Sequence, residues 1–545
     1  MNRVDIEHVS LRSRRGMVPA LLFAFVLALV VYSTRAAPTV LFGDSGEMQT
    51  LGLVGGVAHQ PGYPAFILGG YIFRHLGWPD LAYRITFMAS FFGAATVAML
   101  LVVLVEMGLS VMVACATALT FGGIYTVFLV ALRAEVYTQA MFLSLVALWG
   151  VLRALRSGRD RDLLLAGFLL GISLTGHLSF GPAVVVMGLV LAWRVYSARR
   201  QRALPMLAAL LGVFLLGLTP YLYLVWADAK HLPMNYIQSL EQCGDLVGRN
   251  VPLERASWQR VADLILGRGP YPRHLVVTDP RTLLRHFYAA ARILSLYDLG
   301  LLGTLLALAG FVHGVRRDAA RARLLALLAI VSFGFTIWVS PHSIIDLFLL
   351  PCLLYLSVFV GWGIGAVVQA LGRWLGGGRV AHAALCLLAP VLLLIQAHGT
   401  RHWLDSVKIP RLSLEVDLEE YLVTPTFLPT LHDVRDARRF GEQALEVIPR
   451  GALVMGLWDA LETMRYFQLA ERRRPDLVLW PGVYPYLLAK IGSWQQEHVL
   501  REQPIVFLQW YPELAPHFTA VDSVRLAMGR TLYLAREPLK NLDRP

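Results

Sequence analysis

Charged residues are scarce. They make up 16% of the 545 residues, against 56% hydrophobic, where a soluble domain carries about 25% charged. That shortfall, gathered in repeated apolar runs at a mean hydropathy of +0.56, excludes a water-soluble enzyme and a disordered chain. Lysine is nearly missing: Lys230, Lys408, Lys490 and Lys540 are the only four, so arginine carries the net charge of +12. Arginine in short loops between apolar runs fixes membrane topology, and that reading is preferred to nucleic-acid binding. Cysteine is rare as well. Cys115, Cys352 and Cys386 lie inside apolar runs and Cys243 stands alone in a long loop, so neither a disulfide nor a CxxC metal site is expected. The C-terminal segment lacks GxGxxG and GxxxxGK, which leaves a nucleotide site without support.

What remains is an α-helical integral membrane protein with about eleven spans and a small C-terminal α/β part. The first apolar run, Met17–Ser33, follows Arg12, Arg14 and Arg15. It is read as an uncleaved helix, because Arg35 spoils a small-residue cleavage site. Further runs lie at roughly 84–106, 108–131, 135–152, 163–177, 178–193, 204–226, 291–312, 324–340, 344–371 and 379–398. Every second loop is basic: Arg153 to Arg161, Arg194 to Arg202, Arg316 to Arg323, then Arg373 and Arg379. These loops are expected in the cytoplasm with the N-terminus. Residues 34–83, 227–290 and 399–545 then face outward. The compact, arginine-heavy loops point to a bacterial inner membrane.

The chain accordingly divides into a membrane part, 1–398, and an extracytoplasmic α/β domain, 399–545. In the latter, Gly451–Gly456, Asp476–Trp480, Pro504–Trp510 and Thr531–Ala535 read as buried strands, with helices over Asp459–Arg473 and Tyr484–Leu500; such alternation suggests a layered α/β structure. In the 227–290 loop, Trp258, Val261, Leu264 and Ile265 have helical spacing. They fit a helix lying on the membrane over the site, or a plain packing helix.

Acidic residues avoid the middles of the spans and gather at their outward ends: Asp44, Glu47, Glu135, Asp228, Asp298 and Asp346, joined by His59, His177 and His342. Ionisable groups beside hydrocarbon are costly, so the set as a whole is read as a functional site, although any one of these residues could simply cap a helix end in water. The first outer segment is the most telling: Leu41-Phe42-Gly43-Asp44-Ser45-Gly46-Glu47-Met48, then His59-Gln60-Pro61-Gly62-Tyr63-Pro64. Glycines let the backbone turn tightly and present Asp44. A helix beginning near Ser45 would be capped by Asp44 and share a face with Glu47, and the Pro-Gly-Tyr-Pro run would end it.

The stretch GDSGEMQTLGLVGGVAHQPGYPAF resembles the first outer loop of the membrane family related to protein O-mannosyltransferases, of the GT-C class of glycosyltransferases. Other stretches agree in order: Arg133-Ala134-Glu135-Val136-Tyr137, Gly171 through His177, Gly217 through Tyr223, Asp346 through Pro351, and in the soluble part Ile448 through Ala452 and Arg474-Pro475-Asp476. Where the family usually has asparagine before the histidine, this chain has Gly176.

The resemblance implies a GT-C-like bundle that takes a sugar, mannose-like, from a polyprenyl-phosphate carrier in the lipid and passes it to an acceptor hydroxyl on a protein, lipid or glycan. It makes Asp44 the general base, with Glu47 as second choice or as a partner that orients the acceptor. The leaving phosphate calls for a fixed cation. Arg133 is the first candidate unless it merely pairs with Glu135, with Arg84, Arg268 and Arg273 behind it. His59, Tyr63, Glu135, His177, His342 and Asp346 complete the expected substrate-binding set. No redox cofactor is needed. His59, His177, Asp44 and Glu135 could hold a divalent metal, but no HxxH or HxxxH spacing supports one. Two rival readings are a transporter or flippase of a lipid-linked sugar and a scaffold that displays the C-terminal domain. The first needs ionisable groups near the bilayer midplane, and acidic ones are lacking there.

Overall fold

The computed structural model describes residues 16–243, 255–268, 276–339, 344–374, 379–406, 429–482, 486–517, 521–526 and 529–537. Seven of its helices are long and apolar enough to cross a membrane, and up to nine if each of two bent pairs counts as one span. Leu81–Glu106 and Leu350–Trp374 are the central ones, 67% and 78% buried over their apolar windows, while Met17–Arg35 and Val380–Thr400 are 17% buried and lie at the rim. Two expected spans take another form. The run at 108–131 breaks at Ile124 into Val111–Gly123 and Tyr125–Val130, and that at 163–177 becomes Asp160–Ser173. Helices of 13 and 14 residues reach about 20 Å, short of the ~30 Å of hydrocarbon.

The bent pairs have local causes. Pro220 separates Ala203–Gly217 from Tyr221–Ala229 by a 45° bend; proline cannot donate to the helix ladder. Pro280–Asp298 turns by 102° into Gly300–Arg317 at Gly300, whose φ is +67°. The span expected at 291–312 therefore begins only at Gly300, and its first residues belong to the preceding, sharply bent helical segment. Close packing uses small residues, as membrane interiors require. A Cβ at Gly310 or Gly363 would collide with the backbone of the facing helix, and one at Gly171 or Gly217 likewise.

The arginine loops share one end of the bundle. Arg156 pairs with Glu106, Arg317 donates to the Gly108 carbonyl at 2.9 Å, Arg321 to the Glu106 carbonyl at 3.2 Å, and Arg153 pairs with Asp162 at 3.0 Å. Tyr137–Ser157 begins at the opposite end, where Tyr137 and Phe348 both contact His177. The site described below lies there.

The C-terminal part holds a five-stranded sheet in the order β2-β1-β3-β5-β4: β1 Leu453–Gly456, β2 Val478–Pro481, β3 Ile505–Phe507, β4 Asp522–Arg525 and β5 Thr531–Ala535. β1 runs parallel to β2 and β3, with Leu453 facing Val478 and Ile505; β5 is antiparallel to β3 and β4. The helices Trp458–Leu469 and Tyr486–Glu497 fall where alternation placed them, and β4 and the helix Asp436–Val447 are additional. One sheet face packs Leu453, Met455 and Phe507 on Ile491 and Trp494. On the other, Val454, Phe440 and Phe467 join a core continuous with that of the bundle.

Candidate active site

The helix Gly43–Val54 starts two residues earlier than expected, at Gly43, where φ is +60°; a side chain there would be strained. Asp44 thus falls in the first turn, where a carboxylate suits the positive end of the helix dipole, and no side chain caps this helix. It ends at Gly55 and Gly56, both at positive φ, rather than at the Pro-Gly-Tyr-Pro run. A Cβ on Gly56 would run into the Met234 carbonyl. The chain then turns back, with the Gly62 N–H bonded to the His59 carbonyl at 2.8 Å, and Pro64–Phe73 begins the next helix. This return lays His59 over Asp44 and Glu47.

Glu47 is 1% exposed and His59 occupies both of its oxygens. The His59 backbone N–H donates to Oε1 at 2.9 Å, and the ring Nδ1 contacts Oε2. Nε2 stands 3.2 Å from the Tyr63 hydroxyl, which donates to the Gln60 carbonyl at 3.1 Å, and 4.0 Å from Asp44 Oδ2. Burial alone would lower the His59 pKa, but the Glu47 and Asp44 carboxylates outweigh it and hold the imidazole up at about 10. His59 is therefore an imidazolium at neutral pH, with both ring N–H groups directed at partners. Asp44 differs: 52% of its side chain is exposed, and its Oδ1 accepts from Trp458 Nε1 at 2.8 Å.

Rings surround this pair. His59 meets Tyr63, Tyr236 and Trp458 edge-on at 5.1, 6.3 and 5.8 Å. Tyr63 stacks on His177 at 5.5 Å, and His177 contacts Tyr137 at 4.6 Å and Phe348 at 5.6 Å. His177 accepts from the Ser179 N–H at 3.0 Å through Nδ1; burial, with the His59 cation nearby, pushes it down to about 3. It is neutral and serves as a stacking surface. A Cβ at Gly176 would lie 3.0 Å from the Ala140 Cα, so asparagine does not fit there without movement.

The other expected residues divide. Glu135 lies in the same electrostatic field as His59, and Glu135 and Asp346 both act on the Tyr137 hydroxyl. Arg133 pairs with Glu135 at 3.3 Å, both side chains nearly buried, which is the local pairing weighed as the alternative to a phosphate contact. Arg84 donates to the Trp78 and Arg74 carbonyls at 2.8 and 2.7 Å and braces the chain ahead of Leu81–Glu106. Asp228 is enclosed with Arg260 at 2.7 Å. Asp298 accepts from Thr126 at 2.7 Å and lines a separate small apolar pocket with Thr120, Phe121 and Leu394. His342 and Arg273 lie outside the described residues. In the 227–290 segment, Ser257–Leu266 buries Arg260, Val261 and Leu264 and exposes Trp258. Trp458, Tyr236 and the fully buried Glu462 were not anticipated. Glu462 left a signal: an acidic residue among Ala460, Leu461 and Met464 with Arg465 three positions on, paired at 2.7 Å.

Asp44, Glu47 and His59 bring one ligand atom each within 4.8 Å of one another. Two carboxylates and an imidazole can ligate a divalent ion, but only a neutral imidazole does so. The His59 imidazolium offsets one of the two carboxylate charges, so an ion bound here would displace its ring proton.

Residues 44–203 match the family model of the Protein O-mannosyl-transferase TMEM260 N-terminal domain. A Dictyostelium discoideum protein O-mannosyl-transferase tmem260 is 34% identical over 84 residues, 15% of this chain and 10% of that protein. Mouse protein O-mannosyl-transferase TMEM260 is 25% identical over 218 residues, 39% of this chain and 31% of that protein. The aligned chain thus spans under a third of the length of these relatives. The crystal structure of ArnT from Cupriavidus metallidurans bound to undecaprenyl phosphate superposes with a TM-score of 0.52 at 14% identity, covering 97% of this chain and 99% of that one. Its apo form gives 0.53 at 14% identity, covering 95% and 97%. The fold is GT-C-like: a helical membrane bundle carrying a small C-terminal α/β part.

Proposed function

We propose that the protein is a GT-C glycosyltransferase that moves a sugar from a polyprenyl-phosphate donor to an acceptor hydroxyl, with Asp44 as the general base. The observation that carries this reading is the placement of Asp44. It is an ionisable carboxylate open to solvent, held by a neutral N–H donor, in a wall of rings beside a partly buried imidazolium that pairs with the buried Glu47. As the acceptor oxygen bonds to the anomeric carbon, its proton passes to Asp44 and the sugar–phosphate C–O bond breaks, the electron pair leaving with the phosphate. A positioned base of this kind contributes about 10²–10⁴ in rate. Arg133 is proposed to meet the leaving phosphate, exchanging part of its contact with Glu135 for it. The names of the relatives make mannose the first sugar to test, and ArnT's bound undecaprenyl phosphate suggests the carrier type.

The arginine loops gather at the end of the bundle away from Asp44, which supports a cytoplasmic N-terminus and a site with its C-terminal part on the far side. Labelling a cysteine placed in the 34–42 segment from either side of sealed vesicles tests that topology. For the activity, purified protein in liposomes receives labelled mannosyl-phosphoryl-undecaprenol and a serine-rich peptide. Transfer to peptide in wild type, its collapse in Asp44→Asn and indifference to a chelator are expected. Movement of intact donor across the bilayer without release of sugar would instead establish the flippase reading.

A further inference from the structure

We propose that the C-terminal unit completes the active site, with Trp458 as the positioning residue that fixes the Asp44 carboxylate through its indole N–H. This rests on the reading of Asp44 as base and adds a group that no resemblance in the first 203 residues supplies. Asp44 needs such a partner. It stands in the first turn of a helix without a side-chain cap, half exposed, and would otherwise be free to change rotamer. Trp458 Nε1 reaches Oδ1 at 2.8 Å, leaving Oδ2 and the outer lone pairs for an acceptor. An indole N–H orients a carboxylate without contributing a full positive charge.

The indole is itself held. It meets Tyr236 at 5.7 Å and His59 at 5.8 Å, both edge-on, a geometry aromatic pairs favour. Its helix, Trp458–Leu469, grips the Asp44 segment on both sides. Ahead of Asp44, Arg530 stacks over Phe42 at 4.2 Å while pairing with Asp459 at 3.2 Å. Behind it, Glu462 is buried against Gly46, where a Cβ would come within 3.8 Å of its own. Arg465 binds Glu462 at 2.7 Å and Ser239 at 3.3 Å, so the 230s segment is tied into the same grip. Arg438 adds Thr39 at 2.5 Å and Asp80 at 3.3 Å. These contacts fix Trp458 relative to Asp44 to within a side-chain's freedom.

The test compares Trp458→Phe, Asp44→Asn and the double variant of the full chain, with mannosyl-phosphoryl-undecaprenol and the serine-rich peptide. Phenylalanine keeps the ring and removes the N–H. Trp458→Phe should lower kcat about tenfold, the loss expected for a hydrogen bond to a charged group, with donor KM within about twofold. In the Asp44→Asn background it should have no further effect, because residues that act through one group are not additive. Normal turnover in Trp458→Phe with Asp44→Asn inactive overturns the proposal and spares the base. Losses that multiply in the double variant overturn it too, and an active Asp44→Asn overturns both. If wild type transfers no sugar, amide exchange decides: faster exchange over Gly43–Val54 in Trp458→Phe supports the hold, and unchanged exchange refutes it.

Discussion

Two buried carboxylates near the same end of the bundle are neutralised in opposite ways. Asp228 is fully enclosed: Arg260 donates to Oδ2 through Nε at 3.0 Å and Nη2 at 2.7 Å, and Asn235 donates to Oδ1 at 3.1 Å. An arginine never gives up its charge in a protein, so this pair is a fixed staple. Glu47 is as deeply buried, but its partner His59 can titrate, and that partner faces the half-exposed Asp44. The two regions are joined, since Val57 and residues 234–236 bond through their backbones at 2.9 Å. The difference separates structure from chemistry. Charge closed off by a permanent cation holds the loop, whereas charge balanced by a titratable group beside an open carboxylate suits proton transfer.

The largest expected effect follows from that contrast. Asp44→Asn should reduce transfer by about 10²–10⁴ while the apparent melting temperature stays within a degree or two, because the amide can still accept from Trp458. Arg260→Leu should do the reverse. It strands the buried Asp228 charge, a loss of about 3–5 kcal/mol, seen as poor yield and early melting, with turnover per folded molecule unchanged. Equal kinetic damage from both variants would erase the distinction.

A smaller effect is read from pH. The His59 pKa is raised from the ordinary 6.5 to about 10, so the folded state binds the proton more tightly than the unfolded one. The stability this contributes is complete below about pH 6.5 and is lost as pH rises through 10. Melting temperatures measured from pH 6 to 10 should fall across that window in wild type and fall less in His59→Gln.

The sequence exposed the Glu47 region more readily than the Asp228 region. Asp44, Glu47 and His59 lie within 16 positions of one another, and a glycine-flanked acidic pair beside apolar helices is visible in one line of text. The end of the helix was misassigned because two consecutive glycines at positive φ outrank a later proline as a stop. The outward acidic residues look alike in sequence, yet Asp228 is closed by Arg260, 32 positions away, and Asp298 by Thr126, 172 positions away. Such partners are set by tertiary packing and leave no local pattern. Trp458 was hidden most deeply, 414 positions from Asp44, in a unit whose own alternation of strands and helices explained its residues without reference to the membrane part.

The subtlest expected effect concerns that seam. Burial raises the Glu462 pKa, Arg465 opposes it, and the Glu47 and Asp44 charges raise it further, to about 7. A raised carboxyl pKa means the folded state retains a proton that the unfolded state releases, so this contribution is complete below about pH 4.5 and is lost as pH rises through 7. The window sits below that of His59, and the two can be separated in one titration of melting temperature. Glu462→Gln should flatten the segment from pH 4.5 to 7 and leave the segment above 7 as in wild type, while His59→Gln does the opposite. Because Glu462 belongs to the helix that carries Trp458, the same titration followed by amide exchange should show Trp458–Leu469 loosening against Gly43–Val54 as pH passes 7. If the low-pH segment keeps its slope in Glu462→Gln, the proton resides on another group, and the two halves of the molecule are coupled by packing alone.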